Sequence, residues 1–185
     1  MVDTPRPRLG DISEILAPAQ ILLVSRGGPF GWAIQRTTNS RWTHAALIDQ
    51  TSGGLWIVVE AIAPGVYGTR LEHYLEDPAY RAIAILDVPK LTQAQRDRIL
   101  EVAWLSVGQG YDLWGCAGIL VKRRLGLEIG RRMDAKGRRF CSEIVSFAFE
   151  QGASWDLVPG QPTGQTAPGD FYTRPFVRLL WEWPT

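Results

Sequence analysis

The sequence predicts an α+β domain in which an antiparallel sheet, or a partial barrel, packs against helices. Short apolar runs of strand length, separated by Gly- and Pro-containing turns, dominate residues 18–89. From Leu91 the apolar spacing changes to a helical period that recurs as far as Gly152. Strands first and helices later, in 185 residues, is the pattern of one α+β domain. The expected division is an N-terminal lead-in over 1–17 and a single domain over 18–185. A chain of this length buries roughly 70% of the surface that its unfolded form exposes.

Each element follows from local chemistry. The first ten residues carry Pro5, Pro7 and several charges and read as a poorly ordered lead-in. Residues 11–17 suit a short helix capped by Asp11 and stopped at Pro18. Ile21 to Val24 is a buried strand ending at the turn Arg26-Gly27-Gly28-Pro29, and Phe30 to Thr37 suits a helical turn. Trp42 to Ile48 and Leu55 to Ile62 read as a hairpin whose loop is Gln50-Thr51-Ser52-Gly53-Gly54. Tyr80 to Val88 is a third strand, ended by Pro89. Thr92 is the expected N-cap of a helix broken at Gly108-Gln109-Gly110. A largely apolar helix is expected from Tyr111 to Val121, then a basic, exposed excursion over 122–139. A further helix is expected over Phe140 to Gln151, closed by Gly152. Beyond the Gly/Pro/Thr-rich loop from Pro159 to Pro168, Phe171 to Trp183 is the expected last strand.

Composition narrows the function classes. A net charge of +1 lacks the basic excess of a dedicated nucleic-acid binder. No apolar run approaches the ~18–20 residues of a transmembrane segment, and the opening MVDTPRPRLG has no secretory signal core. Two cysteines and two histidines exclude a disulfide scaffold and a multi-cysteine zinc site. With no His-Glu-x-x-His helix either, no metal and no other cofactor is expected. Arg accounts for 17 of the 20 basic residues, and there are eight Trp. Those counts fit compositional bias with core packing, or a carbohydrate or lipid-headgroup surface. Nothing in the sequence indicates an oligomeric state.

The hairpin register can be calculated. A loop over 50–54 sets Ile48 opposite Trp56, Ala46 opposite Val58 and His44 opposite Glu60. Opposed residues share a face with Cβ atoms about 4.5–5.5 Å apart. A carboxylate there can fix the imidazole tautomer and stabilise the imidazolium; the same pair could also be an ordinary polar contact at a sheet end. Cys141 stands where the basic segment turns into helix, so free N–H groups, the helix dipole and nearby arginines favour a thiolate. The same N–H groups can contribute to an oxyanion hole. Its alternative is a small buried hydrophobe, the reading that suits Cys116. His73, in the charged stretch 70–77, reads as a surface residue. Ser142 lacks the Gly-x-Ser-x-Gly surroundings of a nucleophilic serine.

Taken in order, Ser40-Arg41-Trp42-Thr43-His44-Ala45-Ala46-Leu47-Ile48, Val59-Glu60-Ala61 with Gly65-Val66, Gly110-Tyr111-Asp112 and Phe140-Cys141-Ser142-Glu143-Ile144-Val145 form a pattern. The pattern resembles the permuted NlpC-type, papain-like cysteine hydrolases, in particular the YiiX/YebB-like group, over roughly residues 18–172. The resemblance implies a circularly permuted papain-like fold in which His and acid precede the Cys. It implies Cys141 as nucleophile, His44 as general base and acid, and Glu60 as the orienting third member. Tyr111 matches a family tyrosine near the site and is either a substrate or oxyanion contact or a core aromatic; Ser142 joins it as a tentative oxyanion contributor. Residues 166–170 are similar to a family segment that closes the pocket. Where the family usually enters its first strand with Gly-Asp, this chain has Ala19-Gln20.

The expected activity is hydrolysis of an amide through a thioester, with a small peptide or peptidoglycan fragment as substrate. The alternatives are a lipid acyltransferase, phospholipase or thioesterase using the same triad, and a non-catalytic small-ligand binding module. With no signal peptide evident, the expected location is cytoplasmic, or outside the cell by a non-Sec or phage-delivered route.

Overall fold

A computed structural model of the chain describes residues 5–111 and 138–184. Of the expected apolar helix over 111–121 only Tyr111 is described, and it lies in a strand; the rest of it, Cys116 and nearly all of the basic segment 122–139 lie outside the described residues. The strands are β1 (Ile21–Arg26), β2 (His44–Gln50), β3 (Trp56–Ile62), β4 (Gly65–Arg70), β5 (Tyr80–Asp87), β6 (Gly110–Tyr111), β7 (Arg138–Arg139) and β8 (Arg178–Trp183). They form one open sheet in the order β7-β6-β4-β3-β2-β1-β5-β8. Every pairing is antiparallel except the two-residue contact of β6 with β7. The helices are α1 (Leu9–Ile12), α2 (Gly28–Thr38), α3 (Leu71–Glu76), α4 (Gln93–Leu105), α5 (Cys141–Ala153) and α6 (Pro168–Tyr172).

The central strands are buried on both faces, which is why they read as unbroken apolar runs instead of alternating ones. Ile21 and Leu23 of β1, with Ala45 and Leu47 of β2 and Val59 and Ala61 of β3, face the core built by α4 and α5. Their neighbours Leu22, Val24, Ala46, Ile48 and Val58 face a second core closed by α1 and α3 through Ile12, Leu71, Tyr74 and Leu75. Part of the expected lead-in therefore packs on the domain. The Arg6 guanidinium also donates to the carbonyls of Leu75 and Tyr80.

The hairpin loop has the expected length of five residues but lies one residue later, over 51–55. Ile48 consequently faces Val58, and Gln50 faces Trp56. Each partner is displaced by two residues from the calculated register. An even displacement keeps every side chain on its own face.

Other expectations are corrected. Residues 63–79 hold β4 and α3, neither of which the apolar pattern revealed; Gly68 and the exposed Tyr67 break the strand signal. A Cβ on Gly68 would lie 2.8 Å from the Trp104 ring, so this glycine admits the tryptophan. Asp11 does not cap a helix over 11–17. Its carboxylate accepts from the Arg8 N–H at 2.7 Å within the short α1, and a 3-10 turn (Ser13–Ile15) follows. The last strand begins at Arg178, because Pro168 starts α6. Thr92 does cap α4, with Gln95 returning its amide oxygen to the Thr92 N–H at 2.9 Å.

Gly152 does not close its helix; the left-handed residue after α5 is Ser154, at φ 53°. What Gly152 permits is contact between helices, since a Cβ there would stand 2.6 Å from the backbone N and Cα of Ile99 in α4. Gly152→Ala should therefore force α4 and α5 apart and lower unfolding stability by about 1–3 kcal/mol, the usual cost of overpacking. Urea denaturation checks this, with Gly10→Ala as the control: a Cβ at Gly10 meets nothing within 4 Å.

Candidate active site

Cys141 is the first residue of α5, preceded by Phe140 in an extended conformation. The Glu143 carboxylate accepts from the Phe140 N–H at 3.3 Å and thereby caps the helix start. Ile144, Val145, Ala148 and Phe149 anchor the helix in the α4–α5 core and fix where its N-terminus lies. His44 opens β2, held there by the Thr43 N–H on the Val24 carbonyl at 2.9 Å and the Arg26 N–H on the Thr43 hydroxyl at 2.8 Å. Glu60 lies near the far end of β3, at 1% exposure.

Because the register slip is even, His44 and Glu60 stay on one face as a diagonal pair, within reach of long side chains. His44 Nε2 lies 2.7 Å from Glu60 Oε2. With Nε2 committed to the carboxylate, Nδ1 is the ring nitrogen left for the sulfur, and the Cys141 and His44 groups act on each other's charge. The backbone N–H groups of Ala45 and Ser142 also favour negative charge on that sulfur.

These contacts set the charges. Burial alone would push the His44 pKa down, but the Cys141 thiolate and the Glu60 carboxylate raise it to about 10. Burial pushes the Cys141 thiol up, yet the imidazolium and the two backbone donors bring it below the ordinary thiol range. Glu60 likewise resists its burial, because His44, Thr69 and Tyr74 hold it below the usual carboxylate range. All three directions favour the row thiolate, imidazolium and carboxylate.

Three of the sequence-predicted residues thus meet: Cys141, His44 and Glu60. Tyr111 reaches the same cleft and packs on Phe140. Ser142 divides its roles. Its hydroxyl donates to the Thr166 carbonyl and ties α5 to the 163–167 segment, while its N–H faces the sulfur. His73 is exposed, as expected, and stands 4.0 Å from Asp77 at the cleft margin. Sequence reasoning missed Tyr74, whose hydroxyl donates to the same Glu60 oxygen that faces His44. Its signal was the spacing Leu71, Tyr74, Leu75, one apolar helical face obscured by the charges between. A cleft of about 770 Å³ exposes the site, walled by Arg26, Phe30, Ile62, Tyr80 and Tyr111.

A family model of permuted papain-like amidase enzymes, the YaeF/YiiX or C92 family, matches residues 21–115, half of the chain. The chain belongs to this family. Its members are papain-like cysteine peptidases and amidases, enzymes with a thiol nucleophile. His44 and Glu60 lie within the matched residues and Cys141 beyond them. The crystal structure of yiiX from Escherichia coli O157:H7 has the same fold at 15% identity, with a TM-score of 0.67 over 89% of this chain and 96% of that one. That protein is described as a metalloprotein. Among the described residues of this chain, no group of three or more His, Cys, Asp or Glu is placed to hold a metal ion. No curated protein matches the sequence. Among the described residues, no helix is long and apolar enough to cross a membrane.

The charge row has a measurable consequence. Since only the thiolate alkylates, iodoacetamide should label Cys141 at pH 6.5, where an ordinary thiol is almost wholly protonated. The rate should fall only as pH drops through the depressed Cys141 pKa. His44→Ala removes the imidazolium but leaves the burial, so labelling at pH 6.5 should slow at least about tenfold. Site-resolved mass spectrometry provides the check, with Cys116 as the internal comparison; equal rates at the two cysteines would contradict an activated thiol.

Proposed function

We propose that this protein hydrolyses an amide bond through Cys141, His44 and Glu60, with a peptidoglycan-type peptide as the substrate class. The observation that carries the reading is the 2.7 Å contact of His44 Nε2 with Glu60 Oε2, on a cleft that Cys141 at the head of α5 also lines. Family membership supports the amidase chemistry and a peptide substrate.

In this mechanism the Cys141 thiolate attacks the amide carbon. The carbonyl oxygen becomes an oxyanion, which backbone N–H groups at the start of α5 receive in this proposal. His44 then gives its proton to the leaving nitrogen, the C–N bond breaks and a thioester remains. Water, deprotonated by the now neutral His44, attacks the thioester and releases the acid, and Cys141 and His44 regain their charges. Glu60 changes no bond in this cycle. It holds the imidazole by Nε2, fixes the tautomer and stabilises each imidazolium state. Both the single domain over 18–185 and the role of Tyr111 as a substrate contact belong to the same proposal.

Incubation with muropeptides, phospholipids and acyl thioesters tests the substrate class. Turnover of a muropeptide, with Cys141→Ala reducing it by at least about 1,000-fold, is the expected result. Turnover confined to phospholipid or thioester would replace the amide substrate while leaving the triad in place.

A further inference from the structure

We propose that Tyr74 is a positioning residue for the reaction: its buried hydroxyl, bonded to Glu60, keeps that carboxylate oriented and ionised opposite His44. The inference rests on the Cys141–His44–Glu60 reading given above and adds a fourth member, contributed by a helix on the other face of the sheet from α5.

The geometry is specific. Tyr74 comes from α3, is 2% exposed, and directs its hydroxyl at Glu60 Oε2, the oxygen that also faces His44 Nε2. Its ring lies nearly parallel to the imidazole, at 11° with centroids 6.3 Å apart, so it also bounds the space in which His44 can turn. The phenol is itself supported: the Tyr80 ring from β5 stands 4.8 Å away, and the two phenols interact electrostatically. The titratable groups facing Tyr74 are Glu60 from β3, His44 from β2, Tyr80 from β5, Cys141 from α5 and His73 on its own helix; Arg26 and Asp77 act on it one step away, through Tyr80.

The physical reason is the low polarity around Glu60. A buried carboxylate stays charged only if donors replace the water that it lost. His44 supplies one donor, and its ring must reorient and exchange protons during turnover. Tyr74 supplies a donor that undergoes no such exchange. Burial and the neighbouring Glu60 charge push its pKa up, so the hydroxyl remains a donor throughout the working range. Without this bond Glu60 takes up a proton at a higher pH. His44 then loses its anion and the thiolate loses its counter-charge.

Tyr74→Phe keeps the ring and removes only the hydroxyl. The test is the pH profile of Cys141 alkylation by iodoacetamide, together with thiolate absorbance near 240 nm, in wild type, Tyr74→Phe, Glu60→Gln and the double variant. The expected result is an acid limb moved up by about one pH unit, hence an alkylation rate about tenfold lower on that limb, from the loss of one hydrogen bond to a charged group. In the Glu60→Gln background, Tyr74→Phe should produce no further shift. If Tyr74→Phe unfolds, Tyr80→Phe decides, with a smaller shift in the same direction expected. Superimposed profiles for wild type and the decisive variant, with His44→Ala still abolishing fast alkylation, would overturn the positioning role and leave the triad standing. A shift in Tyr74→Phe that persists in full without the Glu60 carboxylate would overturn it too. If His44→Ala and Glu60→Gln both alkylate as wild type does, the triad reading itself fails and this proposal with it.

Discussion

The arrangement depends on a carboxylate that has almost no contact with water. Glu60 is 1% exposed, and an ion so placed persists only with donors or opposite charge at hand. His44 and Tyr74 both converge on one of its oxygens, so Glu60 acts as the joint between two neighbouring strands and a helix. Removing either partner would leave a buried charge short of compensation, a situation worth several kcal/mol in comparable proteins. The same constraint determines where the imidazole points, and through it the charge on Cys141.

The two faces of the sheet contribute different halves of the site. Strand alternation assigns His44 and Glu60 to the face of Ala46, Ile48 and Val58, where Tyr74 is packed. Cys141 heads α5, which is anchored in the opposite core through Ile144, Val145 and Phe149. A side chain from one side of a sheet meets one from the other at a strand end, and His44 is the first residue of β2. Packing of the Cys141–Ala153 helix on β2 joins the halves. This explains why the site needs two full cores: each fixes one half, and hydrogen-bond distances tolerate little relative movement.

How much of this was legible in the sequence follows from the range of each interaction. The face shared by His44 and Glu60 depends on the parity of the hairpin register, which survived a loop displaced by one residue, whereas the calculated directly opposed pairing did not. Cys141 at a helix start was legible because the change from basic segment to apolar periodicity is local. Tyr74 was not, because α3 is a six-residue helix whose apolar face comprises only Leu71, Tyr74 and Leu75. Nothing near Tyr74 in the chain announces a bond to Glu60, fourteen residues away across the fold. Gly152 was legible as a special position but not for the right reason. Its need is the approach of α4, a tertiary fact that a helix-end pattern imitates.

The charge sequence of the row also bears on what the cleft can bind. Thiolate, imidazolium and carboxylate together carry one net negative charge, held where solvent screens it poorly. Among the described residues lining the cleft, Arg26 is a permanent cation, and its guanidinium stands 5.9 Å from the centre of the Tyr80 ring. Its positive charge acts on Tyr80, which packs on Tyr74. On the proposed reading, a neutral amide entering from the cleft would meet a sulfur that keeps its charge, beside an imidazolium able to protonate the leaving nitrogen. A strongly anionic group placed at the sulfur would meet the net negative charge of the row at short range. On electrostatic grounds the reacting end of the substrate is thus the uncharged part, and any acidic group it carries is better accommodated toward Arg26.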